Sequence, residues 1–347
     1  MKVLATVAAA ALLAFLAAWL LVRERAATRA PAAATFEQRF PEETAAYRRP
    51  SAVDARWHEK RGHAWSIEDR EETDPDDDPR WTRILGARPK LRPQPAACLT
   101  CHAAAGTSHA ASYYEARDRK PLGCADCHER QGDLRSAVCE QCHREYYMVA
   151  GQAAFPEGRT ADEIEAFYDG RGIADWSHAG TGAAVLMAQH PQFEMYAQGP
   201  HAHAGVACAD CHMPFERHGA IRIADHRATR PLQNAGRACL SCHRESAADL
   251  LARVKETQQS TRALLSRAED ALVAAIDAIE RAQAAGDRPA VALKLETRAQ
   301  WRIDFVAADR SLGFHAPQES ARLLAEAIDY ARQAQLAASS KQPPEVR

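Results

Sequence analysis

The 347 residues carry 44 Lys and Arg against 46 Asp and Glu, with 46% hydrophobic residues. That length has room for one large domain or two modest ones. A net charge of −2 supplies no strongly basic face, which excludes the nucleic-acid-binding classes that depend on one.

At the N-terminus one lysine precedes an apolar run from Val3 to Val22. A run of about 20 residues is long enough to span a bilayer as a helix. Cleaved export signals have a shorter apolar stretch and a clear small-x-small site. Residues 1–22 are therefore read as an uncleaved membrane anchor, with a cleaved signal as the alternative. Either way the rest of the chain is exported to the periplasmic side of a cytoplasmic membrane. Residues 23–56, rich in Ala, Arg, Glu and Pro, read as a linker. Asp69 to Pro79 is a solvated acidic loop, and the stretch to Arg92 turns basic and proline-rich.

Residues 57–245 hold all the cysteines and show little long apolar periodicity, which predicts short helices and loops with little β. Residues 246–347 change character. Ala247 to Ala285 lacks Pro and Gly, and Leu251, Val254, Leu265, Leu272, Ile276 and Ile279 recur at helical spacing. Gly286-Asp287-Arg288-Pro289 ends that helix. A second helix is predicted from Pro289 to Leu312 and a third from Gln318 to Ala338, separated by Gly313-Phe314-His315-Ala316-Pro317. The expected fold is mainly α: a cysteine-motif core followed by long C-terminal helices, which suit contact with a second copy as well as packing on one another.

All ten cysteines fall in five C-x-x-C-H motifs: Cys98/Cys101/His102, Cys124/Cys127/His128, Cys139/Cys142/His143, Cys208/Cys211/His212 and Cys239/Cys242/His243. Zinc ribbons also use C-x-x-C pairs, but zinc does not ask for a histidine directly after each one. Five such histidines by chance is an event on the order of one in ten million. Covalent c-type haem does demand them. Two thioether bonds hold the two vinyl groups of one haem, and the following imidazole is the proximal iron ligand. The chain is thus read as carrying five covalent haems, with His102, His128, His143, His212 and His243 proximal.

Ten histidines remain, enough to close all five irons. Counting alone leaves open whether the protein only passes electrons or also activates a small molecule at an open iron. The flanks narrow this. The third motif continues as Arg144-Glu145-Tyr146-Tyr147, and Met187-Ala188-Gln189-His190-Pro191 follows later. With five haem motifs in order, these elements resemble the pentahaem cytochrome c nitrite reductase family, which forms ammonia. The likeness runs from about Arg61 to Pro317.

The resemblance implies that the haem at Cys98/Cys101 is catalytic, with an open distal face. It implies distal ligands for the other four: His63 at Cys139/Cys142, His201 at Cys239/Cys242, His226 at Cys124/Cys127 and His315 at Cys208/Cys211. His190, Tyr146 and an arginine would stand over the open iron. Arg83 is the arginine chosen, with Arg88 as the alternative. The family's calcium ion would take Glu145, Tyr146, Met187 and Gln189. Two positions depart from the best-known members: His102 replaces a proximal lysine, and Met187 replaces a lysine in the Gln-His-Pro run. The implied activity is six-electron reduction of nitrite to ammonium, fed by a quinol-linked or soluble multihaem cytochrome, in a homodimer. The alternative is a membrane-tethered pentahaem electron carrier with five bis-His irons.

Overall fold

The computed structural model describes residues 35–48, 79–86, 101, 122–129, 134–149, 152–228 and 230–340. The apolar run at 1–22 and the residues His63, Arg88, Cys98 and His102 lie outside them. Among the described residues no helix is long and apolar enough to cross a membrane.

Residues 1–41 form one compact unit and residues 42–347 another. The first contributes a short helix, α1 (Phe36–Arg39). Its N-terminus is closed by Thr35, which accepts from the Gln38 amide while the Gln38 side chain reaches back to the Thr35 N–H. At the unit boundary starts α2 (Pro41–Tyr47).

The second unit is mainly α. In chain order it holds α3 (Pro79–Leu85), α4 (Cys124–His128), α5 (Ala137–Glu140), α6 (Ala161–Arg171), α7 (Gln192–Ala197), α8 (Pro200–His203), α9 (Cys208–His212) and α10 (Ala235–Ala238). Three long helices follow: α11 (Ala247–Ala284), α12 (Ala290–Ala308) and α13 (Pro317–Ser339). Strands among the described residues occur as antiparallel pairs: β1 (Tyr147–Val149) with β2 (Gln152–Ala154), β3 (Trp176–Ser177) with β4 (Ala184–Val185), and β5 (Phe215–His218) with β6 (Ile221–Ala224).

The core lies where α13 packs along both α11 and α12. Leu272, Ile276, Ile279, Trp301, Ile303, Phe305 and Leu323 are fully buried there. Ala327, Ala331 and Ala334 are also buried on α13, where small side chains let helices approach closely. Ser246 caps α11 by accepting from the Asp249 amide. The second long helix stops at Ala308, short of the predicted Leu312. Arg310 and Leu312 adopt left-handed backbone at φ 58° and 54°, and Gly313 follows at φ 81°. Helical backbone cannot continue through them.

The change of character near residue 245 does not separate two bodies. On α6, the Ala161 carbonyl accepts from Trp301 Nε1 at 3.0 Å. The Glu165 carboxylate meets Arg302 at 2.9 Å. α3 lies against α11 through Arg80, which bonds Ser266 at 2.7 Å and pairs with Glu269 at 3.0 Å.

Loop 178–183 is also seated on the long helices. Nδ1 of the buried His178 accepts from the amides of Gly180 and Thr181, both at 3.1 Å. Thr181 Oγ1 donates to Glu296 Oε1 at 2.8 Å. The second Glu296 oxygen is buried with no hydrogen-bond partner. Burial pushes this carboxyl up to about 7, from 4.5. The folded chain therefore holds a proton there that the unfolded chain has lost, and stability falls as pH rises from 4.5 to about 7. Glu296→Gln mimics the protonated carboxyl. It should match the parent at pH ~4 and exceed it by on the order of 3 kcal/mol at pH ~8. Denaturant melts at the two pH values check this, and equal stabilities at the higher pH contradict it.

Candidate haem sites

Each described C-x-x-C-H motif is built on a tight helical element, and α4 and α9 share the sequence Cys-Ala-Asp-Cys-His. The Asp126 carboxylate accepts from the Gly123 amide at 2.8 Å, and Asp210 from Ala207 at 2.8 Å. Each acid thereby satisfies an amide at its helix start. The third and fifth motifs turn in the same way. The Cys142 amide donates to the Cys139 carbonyl at 3.1 Å, and the Cys242 amide to the Cys239 carbonyl at 3.1 Å. One helical turn sets the two cysteines of a motif on one face, so both sulfurs reach one porphyrin edge.

None of the described cysteines is spent on a disulfide. Cys101, Cys124, Cys127, Cys139, Cys142, Cys208, Cys211 and Cys239 are half-buried, and Cys242 is exposed. With no disulfide competing for Cys127, Cys142 or Cys242, the second sulfur of each of these motifs stays available for that bond, and the residues present fit the group.

The motifs abut one another. Cys101 Sγ lies 4.0 Å from the Gln141 carbonyl, which sets the first motif beside the third. The Cys208 amide donates to Ser136 Oγ at 3.2 Å and the Ala209 amide to the Arg135 carbonyl at 2.9 Å. These bonds set the fourth motif against the third. α10, which leads directly into the fifth motif, packs against α9, so the fifth motif adjoins the fourth.

Each described proximal imidazole faces a second histidine. Ring centres are 6.2 Å apart for His128–His226, 6.2 Å for His201–His243 and 6.4 Å for His212–His315. A metal–imidazole bond of about 2 Å on each side of one metal ion puts two ring centres about 6 Å apart. The pairs thus fit an iron between them. Burial and the partner imidazole hold His128 and His201 below the usual histidine range, leaving neutral rings able to donate a lone pair.

The fourth pair is His143–His190, with ring centres at 6.3 Å and planes at 71°. The Tyr146 ring stands 5.9 Å from the same His190 ring. Two hydrogen bonds join the two segments: the Phe193 amide donates to the His143 carbonyl at 2.9 Å, and the His190 amide to the Glu145 carboxylate Oε2 at 3.2 Å. From below, α12 fixes the strand of chain that carries His190. Gln300 bridges the Leu186 amide and carbonyl at 3.0 and 2.7 Å. Asp304 accepts from the Ala188 amide at 2.9 Å.

Glu145 is fully buried beneath this segment. Its carboxylate accepts from the amides of Gln189, at 2.8 Å, and His190. Burial above all, with Glu194 and Asp304 nearby, pushes it well above the usual carboxylate range. Gln189 Nε2 donates to the Met187 carbonyl at 3.3 Å. Glu145, Tyr146, Met187 and Gln189 are thus gathered in one place. Among the described residues there is no group of three or more His, Cys, Asp or Glu suited to a metal ion. The gathered set is of another kind, with one carboxylate and the rest carbonyl or amide oxygens.

Arg83 does not join Tyr146 and His190. Its guanidinium reaches across to α11, where it meets Asp277 at 2.6 Å and Glu280 at 2.7 and 2.6 Å. Hydrogen bonding to Glu280 leads in raising its pKa. Two carboxylates already neutralise this arginine, so it is poorly placed to draw in an anion. That corrects the choice of Arg83, and the alternative Arg88 lies outside the described residues. Among the histidines given no role, His178 seats a loop, and His218 meets Glu216 at 2.9 Å. Sequence reasoning missed Gln300 and Asp304, which hold the main chain that carries His190, and Asp309, which meets His315 directly. Only the close spacing of Asp309, Ser311 and His315 could have signalled the last.

Comparison with known proteins adds the following. Residues 129–342 match the family model described as Cytochrome c552. The cytochrome c-552 of Parabacteroides distasonis is 36% identical over 328 residues, covering 80% of this chain and 64% of that protein. That of Bacteroides fragilis is 37% identical over 299 residues, covering 72% and 60%. The chain therefore spans less than two thirds of the length of either relative. The catalytic subunit of a cytochrome c nitrite reductase from Desulfovibrio desulfuricans, a structure described for its two calcium sites, superposes with a TM-score of 0.73 at 22% identity. That match covers 88% of this chain and 85% of the other, and it is a likeness of fold.

Proposed function

The chain belongs to the Cytochrome c552 family and carries covalent c-type haems, and on that premise we propose that it reduces nitrite to ammonium. The working site is the distal face of the haem at Cys98/Cys101/His102. The observation that carries the proposal is the meeting of His190 and Tyr146, with ring centres 5.9 Å apart, beside the third motif, which the first motif adjoins through Cys101.

Nitrite nitrogen falls from +3 to −3, so each turnover takes up six electrons and eight protons and releases ammonium and two waters. The haem supplies electron density and a coordination position for nitrogen when bound. The chain's own residues do the rest. His190 donates a hydrogen bond to a nitrite oxygen and then a proton as that oxygen leaves as water. Tyr146 orients the anion and relays protons to His190. The side chains of Glu145 and of Gln300 and Asp304 on α12 bond the main chain here and hold the site in place without reorganisation during the reaction. His226, His201 and His315 would hold three of the other haems, with His63 for the one at Cys139/Cys142, and these groups would supply the electrons.

A calcium ion held by Glu145, Tyr146, Met187 and Gln189 belongs to this reading. Hard oxygen donors suit it, and it would supply the positive charge that the buried Glu145 carboxylate lacks beside Glu194 and Asp304. The protein acts on the periplasmic side of the membrane, anchored by residues 1–22. It works as a homodimer and takes electrons from a quinol-linked or soluble multihaem cytochrome.

One observation favours a second reading. The 6.3 Å separation of His143 and His190 equals that of the pairs read as axial. His190 as sixth ligand at Cys139/Cys142 would leave His63 for the first haem and make the protein an electron carrier. The direct bonds between the two segments, of which Phe193 to His143 is main chain to main chain, favour the catalytic reading, since a porphyrin between two axial imidazoles pushes their backbones apart. An EPR spectrum of the oxidised holoprotein, taken with and without nitrite, decides. A high-spin haem signal that changes with nitrite supports the reductase. Five low-spin haems indifferent to nitrite establish the carrier.

A further inference from the structure

His315 differs from His226 in what lies behind it. Its Nδ1 meets Asp309 Oδ1 at 2.6 Å, and the Asp309 side chain has no solvent exposure. Ser311 Oγ donates to the other Asp309 oxygen, and the His315 amide donates to Ser311 Oγ at 3.0 Å. By contrast, His226 Nδ1 faces the neutral Ala224 carbonyl at 2.7 Å. The proximal His243 has Glu245 at 3.8 Å, beyond hydrogen-bond reach and with both side chains about 40% exposed (41% and 43%).

The turn that makes this contact is tightly held. Arg310 and Leu312 accept left-handed backbone without being glycine, a cost of about 1–3 kcal/mol each that persists where surrounding structure enforces it. A side chain on Gly313 would strike Thr261 Oγ1 at 2.2 Å. One on Gly199 would strike the His315 carbonyl. The chain is therefore clamped on both sides of the Asp309–His315 bond.

We propose that Asp309 is a positioning and tuning residue for the haem at Cys208/Cys211, holding its iron at a lower potential than the other bis-His haems. The inference rests on the reading of His315 as that haem's axial ligand. A carboxylate that accepts the imidazole N–H fixes the tautomer, leaves Nε2 for iron and makes the ring a stronger donor. A stronger donor beside a buried negative charge stabilises ferric over ferrous iron. This haem would then be the reluctant electron acceptor in the row of motifs, setting how readily electrons pass between the third and fifth.

The test is EPR-monitored potentiometry on the intact holoprotein. His315→Ala comes first and should convert one low-spin haem to high-spin; no such change overturns the ligand reading itself. With that established, Asp309→Asn should lower the ferric-to-ferrous ratio of the same haem about tenfold at fixed potential, a rise of about 59 mV for one electron. The other four midpoints should stay in place. Asp309→Glu should stay near the parent. Ser311→Ala, which frees the carboxylate of a competing donor, should shift the midpoint the other way. If Asp309→Asn does not accumulate, the sign of the Ser311→Ala shift decides. Unmoved midpoints, or a rise common to all five haems, overturn the tuning role while leaving the ligand assignment intact.

Discussion

His190→Ala should lower nitrite turnover by about 10²–10⁴-fold, the usual contribution of a positioned proton donor, while all five haems remain attached. The imidazole sits beside Tyr146 and is tied through its own amide to Glu145. Removing the ring leaves that amide and the Gln189 amide on the Glu145 carboxylate, so the fold has no reason to change. Steady-state nitrite reduction with a low-potential donor measures the loss, and haem staining with pyridine haemochrome quantitation measures cofactor content. The same variant speaks to the carrier reading. An axial His190 would leave a new high-spin haem on removal, with the Cys139/Cys142 haem's potential displaced. Full turnover in the variant would remove His190 from the mechanism.

The second large effect concerns stability. Arg302→Ala should destabilise the protein by about 3–5 kcal/mol, the cost of leaving a buried carboxylate without its partner. The Arg302 side chain is 4% exposed and meets Glu165 at 2.9 Å, Asp162 at 2.7 Å and Glu326 at 2.8 Å. Burial already holds Glu165 above the usual carboxylate range with the arginine present. Joining α6 to α12 and α13, this cluster carries the docking of the motif region onto the long helices. Arg302→Met combined with Glu165→Met should cost less than Arg302→Ala alone, because the half-exposed Asp162 and Glu326 keep Arg322 and no buried charge is then stranded. Chemical denaturation of the holoproteins compares the two. A loss below about 1 kcal/mol for Arg302→Ala would mean that the network is no better than an exposed pair.

The cysteine motifs and the long helices were legible because each rests on a local rule. Thioether attachment dictates C-x-x-C-H, and the apolar spacing of Leu272, Ile276 and Ile279 dictates one buried helical face. The end of α12 was not legible at Ala308. Nothing local forbids Arg310 or Leu312 from continuing a helix, and the turn exists because Asp309 is drawn to His315. Arg83 shows the same limit. An arginine upstream of the first motif suits an anion site equally well on paper, but Asp277 and Glu280 on α11 claim it in space. Pairing between residues distant in sequence decides such cases, and a single chain read alone carries no record of it.

The loop between α12 and α13 has a consequence for how the holoprotein comes into being. Haem attachment needs only a motif and its two sulfurs, so it can proceed on an extended, newly exported chain. The second axial ligands are supplied otherwise. On the proposed ligand assignment His212 would wait for His315, and the His201 pocket receives Phe314 from the same loop, with ring centres 5.8 Å apart. Neither pocket is complete until α13 has closed on α11 and α12, and contacts so distant along the chain form slowly. Maturation should therefore pass through a stage in which haems are already bonded but these irons still lack their sixth ligand, open to stray ligands and to oxygen. The three long helices, far from any thioether, act as the latch that ends that exposure.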